Sequence, residues 1–256
     1  MDLGLDGKVV FIAGASRGIG YAMAEAFVGE GAKVCITGRT ESVLQEAAEK
    51  LAGDVLAVAG DMTSSADVIR ALDRTEAELG PVYCAVANVG IGRAPLGFDI
   101  TDDDWDADIA QNLTGSMYVA REAIRRMMTR PPKERAGANI IMISSIAGVD
   151  SIGTPLTYSA TKAAINHAGR SLAKFVGPDG IRVNVIAPGN ILFPGGSWEK
   201  ITAEKPEVWD RWIKREVALQ RFGTVEEIAD AALFLASERS AFTTGEVFVV
   251  DGGQVQ

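Results

Sequence analysis

The feature that most constrains this chain is an alternation between short β-forming runs and longer stretches with helical periodicity of about 3.6 residues. The β-rich runs begin near Lys8, Lys33, Val55, Val82, Asn139, Arg182 and Glu246. The helical patterns between them cover Ile19–Gly29, Ser42–Leu51, Ala66–Leu79, Asp102–Thr129, Leu156–Val176 and Val225–Leu235. This order predicts an α/β fold with a mostly parallel, seven-stranded sheet and helices on both faces. In such a sheet, ligands bind at the carboxyl ends of the strands.

The whole chain, residues 1–256, is predicted to form one doubly wound domain. A chain of 256 residues is long enough to bury a large core as a single domain. The sequence contains no internal repeat, no low-complexity segment and no linker-like stretch that would divide it.

A glycine-rich loop follows the first apolar run. Val9–Ala13 is apolar, and the chain then reads Gly14-Ala15-Ser16-Arg17-Gly18-Ile19-Gly20. A strand, a tight glycine turn and a helix N-terminus present backbone N–H groups to an anion, which suits a dinucleotide phosphate. The spacing is G-x-x-x-G-x-G rather than G-x-G-x-x-G, so a turn without a ligand is the alternative. The position of the loop at the start of an alternating chain favours the dinucleotide.

A second group of residues carries proton-transfer chemistry. Tyr158 and Lys162 lie four residues apart, so one helical turn places them on the same face. Ser145 follows an apolar run, where its hydroxyl can meet the phenol. A cation about 4 Å away at an effective dielectric of about 20 favours the phenolate by about 4 kcal/mol. This predicts a lowered pKa for Tyr158 and proton exchange near neutral pH. Taken alone, the Tyr-x-x-x-Lys pattern also fits an ordinary surface pair.

Together, these motifs resemble the classical branch of the short-chain dehydrogenase/reductase family, in an oxoacyl reductase-like form. The resemblance covers nearly the whole chain. Further matching segments occur in the family's order: Ala87-Asn88-Val89-Gly90, Gln111-Asn112-Leu113-Thr114-Gly115, Ile143-Ser144-Ser145, Pro188-Gly189 and Val250-Asp251-Gly252-Gly253. The resemblance implies a single Rossmann-type domain and an oxidoreductase.

The resemblance also implies catalytic roles. Tyr158 would be the general acid/base, and Ser145 would donate a hydrogen bond to the substrate carbonyl. Lys162 would bind the nicotinamide ribose, and Asn112 would hold a water that links Lys162 to solvent. We choose Ser145 over Ser144 because the thirteen-residue spacing to Tyr158 is the usual one. Neighbouring side chains on an extended segment also point in opposite directions.

The resemblance places the cofactor against residues spread along the whole chain. They are Gly14, Ser16, Arg17, Gly18, Ile19, Gly20, Arg39, Asp61, Met62, Asn88, Gly90, Tyr158, Lys162, Pro188, Gly189 and Ile191.

The charge at the end of the second strand bears on the choice of dinucleotide. An acidic residue there would bind the ribose hydroxyls of NAD and repel a 2′-phosphate. This chain has Gly38 and then Arg39, with Arg17 inside the glycine loop. A guanidinium fork suits a phosphate, so NADP(H) is predicted. If both arginines are merely solvated surface charges, NAD(H) is the alternative.

Two departures from the family pattern leave cofactor affinity open. Ala13 replaces a threonine whose hydroxyl often ties the glycine loop to the Asn88 region. After Pro188-Gly189, no threonine occurs where the family often uses one to bind the nicotinamide amide and the phosphates.

Residues 190–219 interrupt the alternation of strands and helices. The segment contains Phe193, Pro194, Gly195, Gly196, Trp198, Trp209 and Trp212. Glycines and a proline among aromatic residues predict a mobile cover over an apolar substrate pocket. In the alternative, the tryptophans only pack this excursion onto the body. Candidate substrate contacts on other segments are Val149, Asp150, Ile152, Arg93 and Phe98.

Composition excludes several other classes of function. The net charge is −9, with no basic stripe for nucleic acid and no polybasic segment for an anionic membrane. No apolar run reaches the roughly 18 residues of a membrane span, and no signal-peptide pattern occurs, so a cytoplasmic protein is expected. Cys35 and Cys84 lie in apolar strands and are expected to be inert. With His167 as the single histidine, no metal site is expected.

The sequence therefore predicts an NADP(H)-dependent oxidoreductase that interconverts a small-molecule ketone and a secondary alcohol. A 3-oxoacyl thioester is one substrate class, and a hydroxysteroid, polyol or aromatic ketone is another. A cofactor-sensing binding protein with the same fold and little turnover is the alternative. The family resemblance also implies a homotetramer built on the long helical patterns Asp102–Thr129 and Leu156–Val176 and on the last strand.

Overall fold

A computed structural model describes residues 2–91 and 95–255. Its centre is a seven-stranded sheet in the order β3-β2-β1-β4-β5-β6-β7, and every pairing is parallel. The strands are β1 Val9–Ala13, β2 Lys33–Gly38, β3 Val55–Ala59, β4 Val82–Ala87, β5 Asn139–Ile143, β6 Arg182–Pro188 and β7 Val247–Val250. The predicted doubly wound α/β fold is confirmed. The strand order reverses between β1 and β4, which is where such sheets open a ligand crevice.

Helices cover both faces of the sheet. They are α1 Gly18–Gly29, α2 Glu41–Lys50, α3 Ser65–Glu78, α4 Asp102–Asp108, α5 Gly115–Met128, α6 Pro132–Arg135, α7 Leu156–Val176, α8 Ser197–Glu204, α9 Pro206–Glu216 and α10 Val225–Ala236. Among the described residues, no helix is both long enough and apolar enough to cross a lipid bilayer.

The core is divided between the two faces of the sheet because successive strand side chains point in opposite directions. In β1, Phe11 packs into a core that includes side chains of α3, α5 and α7. Its neighbour Ile12 packs into a second core with side chains of α1, α2 and α10. Strands β1, β5 and β6 are buried along their whole length. β1 accordingly appears in the sequence as a continuous apolar run, whereas β5 and β6 also bury Asn139, Arg182 and Asn184.

The helical pattern predicted over Asp102–Thr129 is confirmed, but the segment is not α-helical along its whole length. The chain forms α4, then a π-helical segment Ile109–Thr114, and then α5. The wider π turn lies at Asn112, whose side chain bonds back to the loop after β4. π turns of this kind occur often at functional sites.

The excursion at residues 190–219 contains two helices, α8 and α9. It is tied to the body by a parallel bridge between Ile191 and Gly223 and by the hydrogen bond from Leu192 N to Gly223 O at 3.0 Å. The segment therefore forms a structured lobe beside the carboxyl ends of β6 and β7.

Candidate active site

The predicted site residues gather in two adjoining cavities at the carboxyl ends of the strands. The first, the glycine-loop cleft, is lined by Gly14, Ser16, Arg17, Gly18, Ile19, Arg39, Asp61, Met62, Asn88, Gly90 and Tyr158, among others. The second, the inner cavity, is lined by Ser145, Tyr158, Lys162, Pro188, Gly189 and Ile191, among others. Both cavities share Ile19, Asn88, Gly90 and Tyr158, so they form one continuous crevice. Gly20 and Asn112 lie behind its walls.

The glycine loop has the shape that an anion site requires. Gly14 and Gly18 have φ angles of +68° and +60°, which favour glycine. A Cβ on Gly20 would overlap with the carbonyl oxygen of Gly14 and lie 2.6 Å from Asn88 Nδ2. Helix α1 begins at Gly18 with no acidic residue in its first turn. The loop and the N-terminus of α1 therefore form a cradle that fits a dinucleotide diphosphate.

Thr37 is a residue of this site that the sequence analysis missed. Its Oγ1 accepts a hydrogen bond from Gly14 N at 3.3 Å, and its carbonyl accepts one from Ala15 N at 2.9 Å. From β4, Asn88 Nδ2 donates to Gly14 O at 2.8 Å. The loop is thus held from both neighbouring strands although Ala13 lacks a hydroxyl. The sequence signal that could have identified Thr37 is a threonine inside a buried strand. A buried hydroxyl needs a hydrogen-bond partner, so such a threonine indicates a contact with a neighbouring segment.

Two exposed guanidinium groups border the glycine-loop cleft. Arg17 and Arg39 both line it, close to Gly38 at the end of β2. Across residues 2–91 and 95–255, neither arginine has a carboxylate within 4.0 Å. In the wall next to Gly38, formed by the chain after β3, the Asp61 carboxylate accepts from Thr63 N and Thr63 Oγ1 at 2.9 and 2.8 Å. One end of the cleft is therefore basic.

The two adjacent serines after β5 have different surroundings. Ser144 is buried, and its Oγ donates to the carbonyl of Lys162 at 3.0 Å. Ser145 lies one residue further on, where its Oγ accepts from Ala147 N at 3.2 Å. It lines the inner cavity together with Tyr158, and its hydroxyl lowers the pKa of the Tyr158 phenol.

Lys162 is buried beside the Tyr158 ring. Its Nζ donates to the carbonyl of Ile143 at 3.0 Å and lies 5.6 Å from the centroid of the ring. Burial lowers the pKa of Lys162 to about 8, because the charged ammonium loses hydration. A Cβ on Gly90 would lie 2.8 Å from Lys162 Nζ and 2.6 Å from Asn112 Oδ1, so a glycine at this position leaves room for both polar groups.

The expected lowering of the Tyr158 pKa is wrong for this structure. The pKa of Tyr158 is raised, mainly because burial disfavours the phenolate; the Asp108 carboxylate raises it further, and only the hydrogen bond with Ser145 lowers it. The expectation assumed a solvated ammonium about 4 Å away. The ammonium of Lys162 instead contacts a backbone carbonyl and is itself desolvated. At neutral pH, Tyr158 is therefore a phenol that can donate a proton.

Asn112 anchors the loop that follows β4. Its Oδ1 accepts from Ile91 N at 2.9 Å, and its Nδ2 donates to Ile91 O and Asp108 O, each at 3.1 Å. Its own carbonyl accepts from Ser116 Oγ at 2.9 Å. These bonds are structural, and they hold the segment that includes Gly90 against Lys162. The predicted role of Asn112 in carrying a water stays a prediction.

Aromatic residues of the 190–219 lobe cover the crevice. Trp198 lines the inner cavity, and its ring lies 5.3, 5.6 and 5.2 Å from the ring centroids of Trp209, Trp212 and Phe222. Phe193 lines both cavities, and a Cβ on Gly18 would meet its ring at 2.7 Å. Trp198 thus lines the cavity, whereas Trp209 and Trp212 pack behind it.

The other candidate substrate contacts differ in their placement. Ile152 lines the inner cavity. Val149 and Asp150 are exposed and are not among the residues that line this cavity, and Phe98 is 88% exposed. Arg93 lies outside the described residues.

Cys35 and Cys84 are buried, and burial raises the pKa of each thiol to about 12, which makes them poor nucleophiles. Within residues 2–91 and 95–255, no three His, Cys, Asp or Glu side chains cluster closely enough to hold a metal ion.

Comparison with known proteins agrees with this architecture. A family model described as enoyl-(acyl carrier protein) reductase matches residues 14–254. The chain is 35% identical over 251 residues to the 3-oxoacyl-acyl-carrier-protein reductase FabG of Escherichia coli, covering 98% of each. It is 33% identical over 253 residues to 2-(S)-hydroxypropyl-CoM dehydrogenase 3 of Xanthobacter autotrophicus, covering 97% of each.

A solved structure points to the same class. A short-chain type dehydrogenase/reductase from Mycobacterium marinum superposes with a TM-score of 0.86 at 31% identity, covering 98% of this chain and 96% of that one. The chain therefore belongs to the short-chain dehydrogenase/reductase family. It is an oxidoreductase that acts on CH–OH groups with a nicotinamide cofactor.

We predict that Thr37→Val loosens the glycine loop. The substitution keeps the shape of the side chain but leaves the Gly14 N–H without its partner, which should cost about 1–2 kcal/mol. Isothermal titration should show about tenfold weaker dinucleotide binding. Thr75→Val is the matched control, because the Thr75 hydroxyl bonds only to the Ala71 carbonyl within α3. Equal dinucleotide affinity in both variants would contradict this role for Thr37.

A second prediction concerns the stability of the buried Lys162. Its folded-state pKa of about 8 lies below the value near 10.4 of an unfolded lysine. The unfolded state therefore binds more protons in that window, and stability rises with pH there. Relative to Lys162→Met, the wild type should gain about 2 kcal/mol between pH 7 and 9.5 in urea unfolding.

Lys174→Met, on the exposed face of the same helix, is the control. Its free energy of unfolding should depend on pH in the same way as that of the wild type. A pH-independent difference between wild type and Lys162→Met would show that Lys162 is not desolvated in the folded state.

Proposed function

We propose that the protein is an NADP(H)-dependent oxidoreductase that interconverts a ketone and a secondary alcohol, with Tyr158 as general acid/base. One observation carries the proposal: Ser145 and Tyr158 line the same inner cavity, and that cavity is continuous with the glycine-loop cleft. When bound in that cleft, the nicotinamide cofactor supplies or accepts the hydride. The residues of the chain handle the proton and the carbonyl oxygen.

The hydroxyls of Ser145 and Tyr158 have different roles at the carbonyl oxygen of the substrate. Ser145 donates a hydrogen bond to that oxygen and fixes its position. Tyr158, protonated at neutral pH because it is buried, donates its proton as the oxygen gains negative charge. In the reverse direction, Tyr158 accepts the proton of the alcohol.

Lys162 and Asn112 support the proton path in this proposal. The Lys162 ammonium lies beside the Tyr158 ring and would stabilise negative charge there, and in this proposal it binds the nicotinamide ribose. Asn112 holds the loop at Gly90 against Lys162, and in this proposal it links Lys162 to solvent through a water.

The basic end of the cleft supports NADP(H) over NAD(H). Arg17 and Arg39 border it, and Gly38 stands where an acidic side chain would repel a 2′-phosphate. Asp61 and Met62 line the neighbouring wall, where the adenine would lie.

The names of the relatives suggest substrates for this chain. FabG is named for 3-oxoacyl-acyl-carrier-protein reduction, and the Xanthobacter protein for a hydroxypropyl thioether of coenzyme M. Both substrates are secondary alcohol/ketone pairs, and a 3-oxoacyl thioester is a candidate here. The complete set Ser145, Tyr158, Lys162 and Asn112 favours an enzyme over a cofactor-sensing protein without turnover.

A cytoplasmic homotetramer is part of the proposal. Large apolar side chains lie exposed on α7, α10 and β7: Phe175 is 76% exposed, and Phe234 and Phe248 are 41% and 37% exposed. The rings of Phe234 and Phe248 lie 6.4 Å apart and form one exposed apolar patch. A second copy would cover such a surface.

The first functional prediction concerns Tyr158→Phe. Removing the hydroxyl should lower kcat by about 10²–10⁴-fold, because the general acid is lost. The Kd for NADPH should change less than about threefold, since the ring remains. Tyr118→Phe on α5, away from both cavities, is the control and should keep wild-type turnover. A Tyr158→Phe enzyme with near-normal kcat would remove Tyr158 from the mechanism.

Dinucleotide preference can be tested with Arg39→Asp. The substitution replaces an attractive charge near the 2′-phosphate with a repulsive one, so kcat/KM with NADPH should fall at least about tenfold relative to NADH. Lys133→Asp on α6 makes the same change in net charge outside both cavities and should leave the ratio unaltered. An unchanged NADPH/NADH ratio in Arg39→Asp would contradict the charge argument.

A further inference from the structure

Large apolar side chains line two sides of the inner cavity. Ile146, Ile152 and Pro155 line one side, and Phe193, Trp198 and Ile201 line the side formed by the 190–219 lobe. Lys162 is the one charged side chain among the described lining residues, and its Nζ is bonded to the carbonyl of Ile143. Apolar groups therefore surround the place where a substrate carbonyl would meet Ser145 and Tyr158.

Most of the other polar side chains in these walls already have partners. Asn88 donates to Gly14 O, Ser144 donates to Lys162 O, and the hydroxyl of Thr154 bonds to Ser159 Oγ at 2.6 Å. The remaining hydroxyl, that of Ser197, lies at the exposed rim. A substrate hydroxyl or carboxylate enclosed here would lose its hydration without a new hydrogen bond.

Resting on the proposed function, we infer that the part of the substrate enclosed by this cavity is uncharged and apolar on both sides of the carbonyl. An alkyl or aryl ketone, or the acyl end of a longer chain, fits this lining. A keto acid, a sulfonate close to the carbonyl or a polyol fits poorly, because Lys162, the one described lining cation, is already bonded to the Ile143 carbonyl and the unused hydroxyl of Ser197 lies at the exposed rim.

Two ketones of equal length test this inference directly. The purified full-length enzyme is assayed with NADPH and with 2-octanone or 7-oxooctanoate, which differ only in a terminal carboxylate. We expect kcat/KM for 2-octanone to exceed that for 7-oxooctanoate by at least about 100-fold. Equal or better use of 7-oxooctanoate would overturn the inference alone. Turnover of no ketone at all would overturn the proposed function as well.

A designed cation should change this preference. Ile152→Lys places an ammonium in the cavity wall, and kcat/KM for 7-oxooctanoate should rise at least about tenfold. Val43→Lys, at an exposed apolar position on α2 outside both cavities, should leave it unchanged. Ile201→Lys repeats the test from the opposite wall if Ile152→Lys does not fold. No gain for the carboxylate in any folded variant would contradict the proposed lining.

A second, independent observation concerns Asp108. The segment 102–108 contains five aspartates, and Asp108 is the buried one, at 4% exposure. Its carboxylate accepts a hydrogen bond from the Thr157 hydroxyl, and Thr157 directly precedes Tyr158. Its carbonyl accepts from Asn112 Nδ2 at 3.1 Å. Within the described parts of the chain, no cationic side chain lies within 4.0 Å of this carboxylate.

The geometry points to Asp108 as a positioning residue for Tyr158: it joins the first turn of α7 to the π turn at Asn112 and keeps negative charge next to the phenol. Two charged groups face Tyr158, Lys162 on its own helix and Asp108 from α4. The described residues that line the cavity from the β4 loop and from α8 are uncharged. The carboxylate thus favours the phenol over the phenolate, which agrees with the raised pKa of Tyr158.

The titration of Tyr158 tests this role without any need for turnover. In ¹³C-tyrosine NMR of the ligand-free protein, with the signal assigned by Tyr158→Phe, Asp108→Asn should move the titration of Tyr158 to lower pH. Asp106→Asn, the same change at an exposed position two residues earlier, should leave it in place. The rising limb of kcat/KM for alcohol oxidation should shift in the same direction.

Identical titrations in wild type and Asp108→Asn would overturn the electrostatic role of Asp108. If Asp108→Asn does not fold, Thr157→Val replaces it as the test. This variant keeps the charge of Asp108 and removes the hydrogen bond from the Thr157 hydroxyl to the Asp108 carboxylate. It should lower kcat at least about fivefold with unchanged NADPH affinity. A Thr157→Val enzyme with wild-type kcat would contradict the positioning role.

Discussion

The burial of an ammonium group beneath a phenol is the interaction on which the rest of this site depends. Lys162 is shielded from water because α7 packs closely against the turn after β5. The close packing requires glycine at position 148, since a Cβ there would lie 2.6 Å from Ala163 N. The same turn is held by Asn166 Nδ2, which donates to Gly148 O at 2.8 Å. Desolvation then sets the protonation of both groups, lowering the pKa of Lys162 to about 8 and raising that of Tyr158.

Close backbone approach and paired polar groups shape the crevice around this pair. Glycines at 14, 20 and 90 leave no Cβ between the loops and the strands, and Thr37 and Asn88 hold the glycine loop by hydrogen bonds. In the inner cavity, the side chains of Asn88, Ser144 and Thr154 are already bonded to the protein. The hydroxyls of Ser145 and Tyr158 are therefore the groups left to meet a carbonyl oxygen, and the apolar lobe with Phe193 and Trp198 closes the other side.

Much of the fold and the placement of the site could be predicted from the sequence, for physical reasons. A strand that is buried on both faces is usually rich in apolar residues, and loops that bend at φ near +60° favour glycine. The sequence pattern could therefore predict β1 and the glycine loop. The π turn at Asn112, the hydrogen bond from Gly14 to Thr37 and the direction of the Tyr158 pKa shift could not be predicted. Each of these features depends on which distant residues come into contact and on how far water is excluded. The local spacing of residues in the sequence contains no information on either.

The most direct test of this account is the ionisation of Lys162 in the ligand-free protein. ¹³Cε-lysine NMR, with the Lys162 signal assigned by Lys162→Met, follows that single amine through its titration. The account predicts a midpoint near pH 8, because the ammonium is desolvated between α7 and β5. A midpoint at or above about 10.4, the value of a solvated lysine, would contradict it.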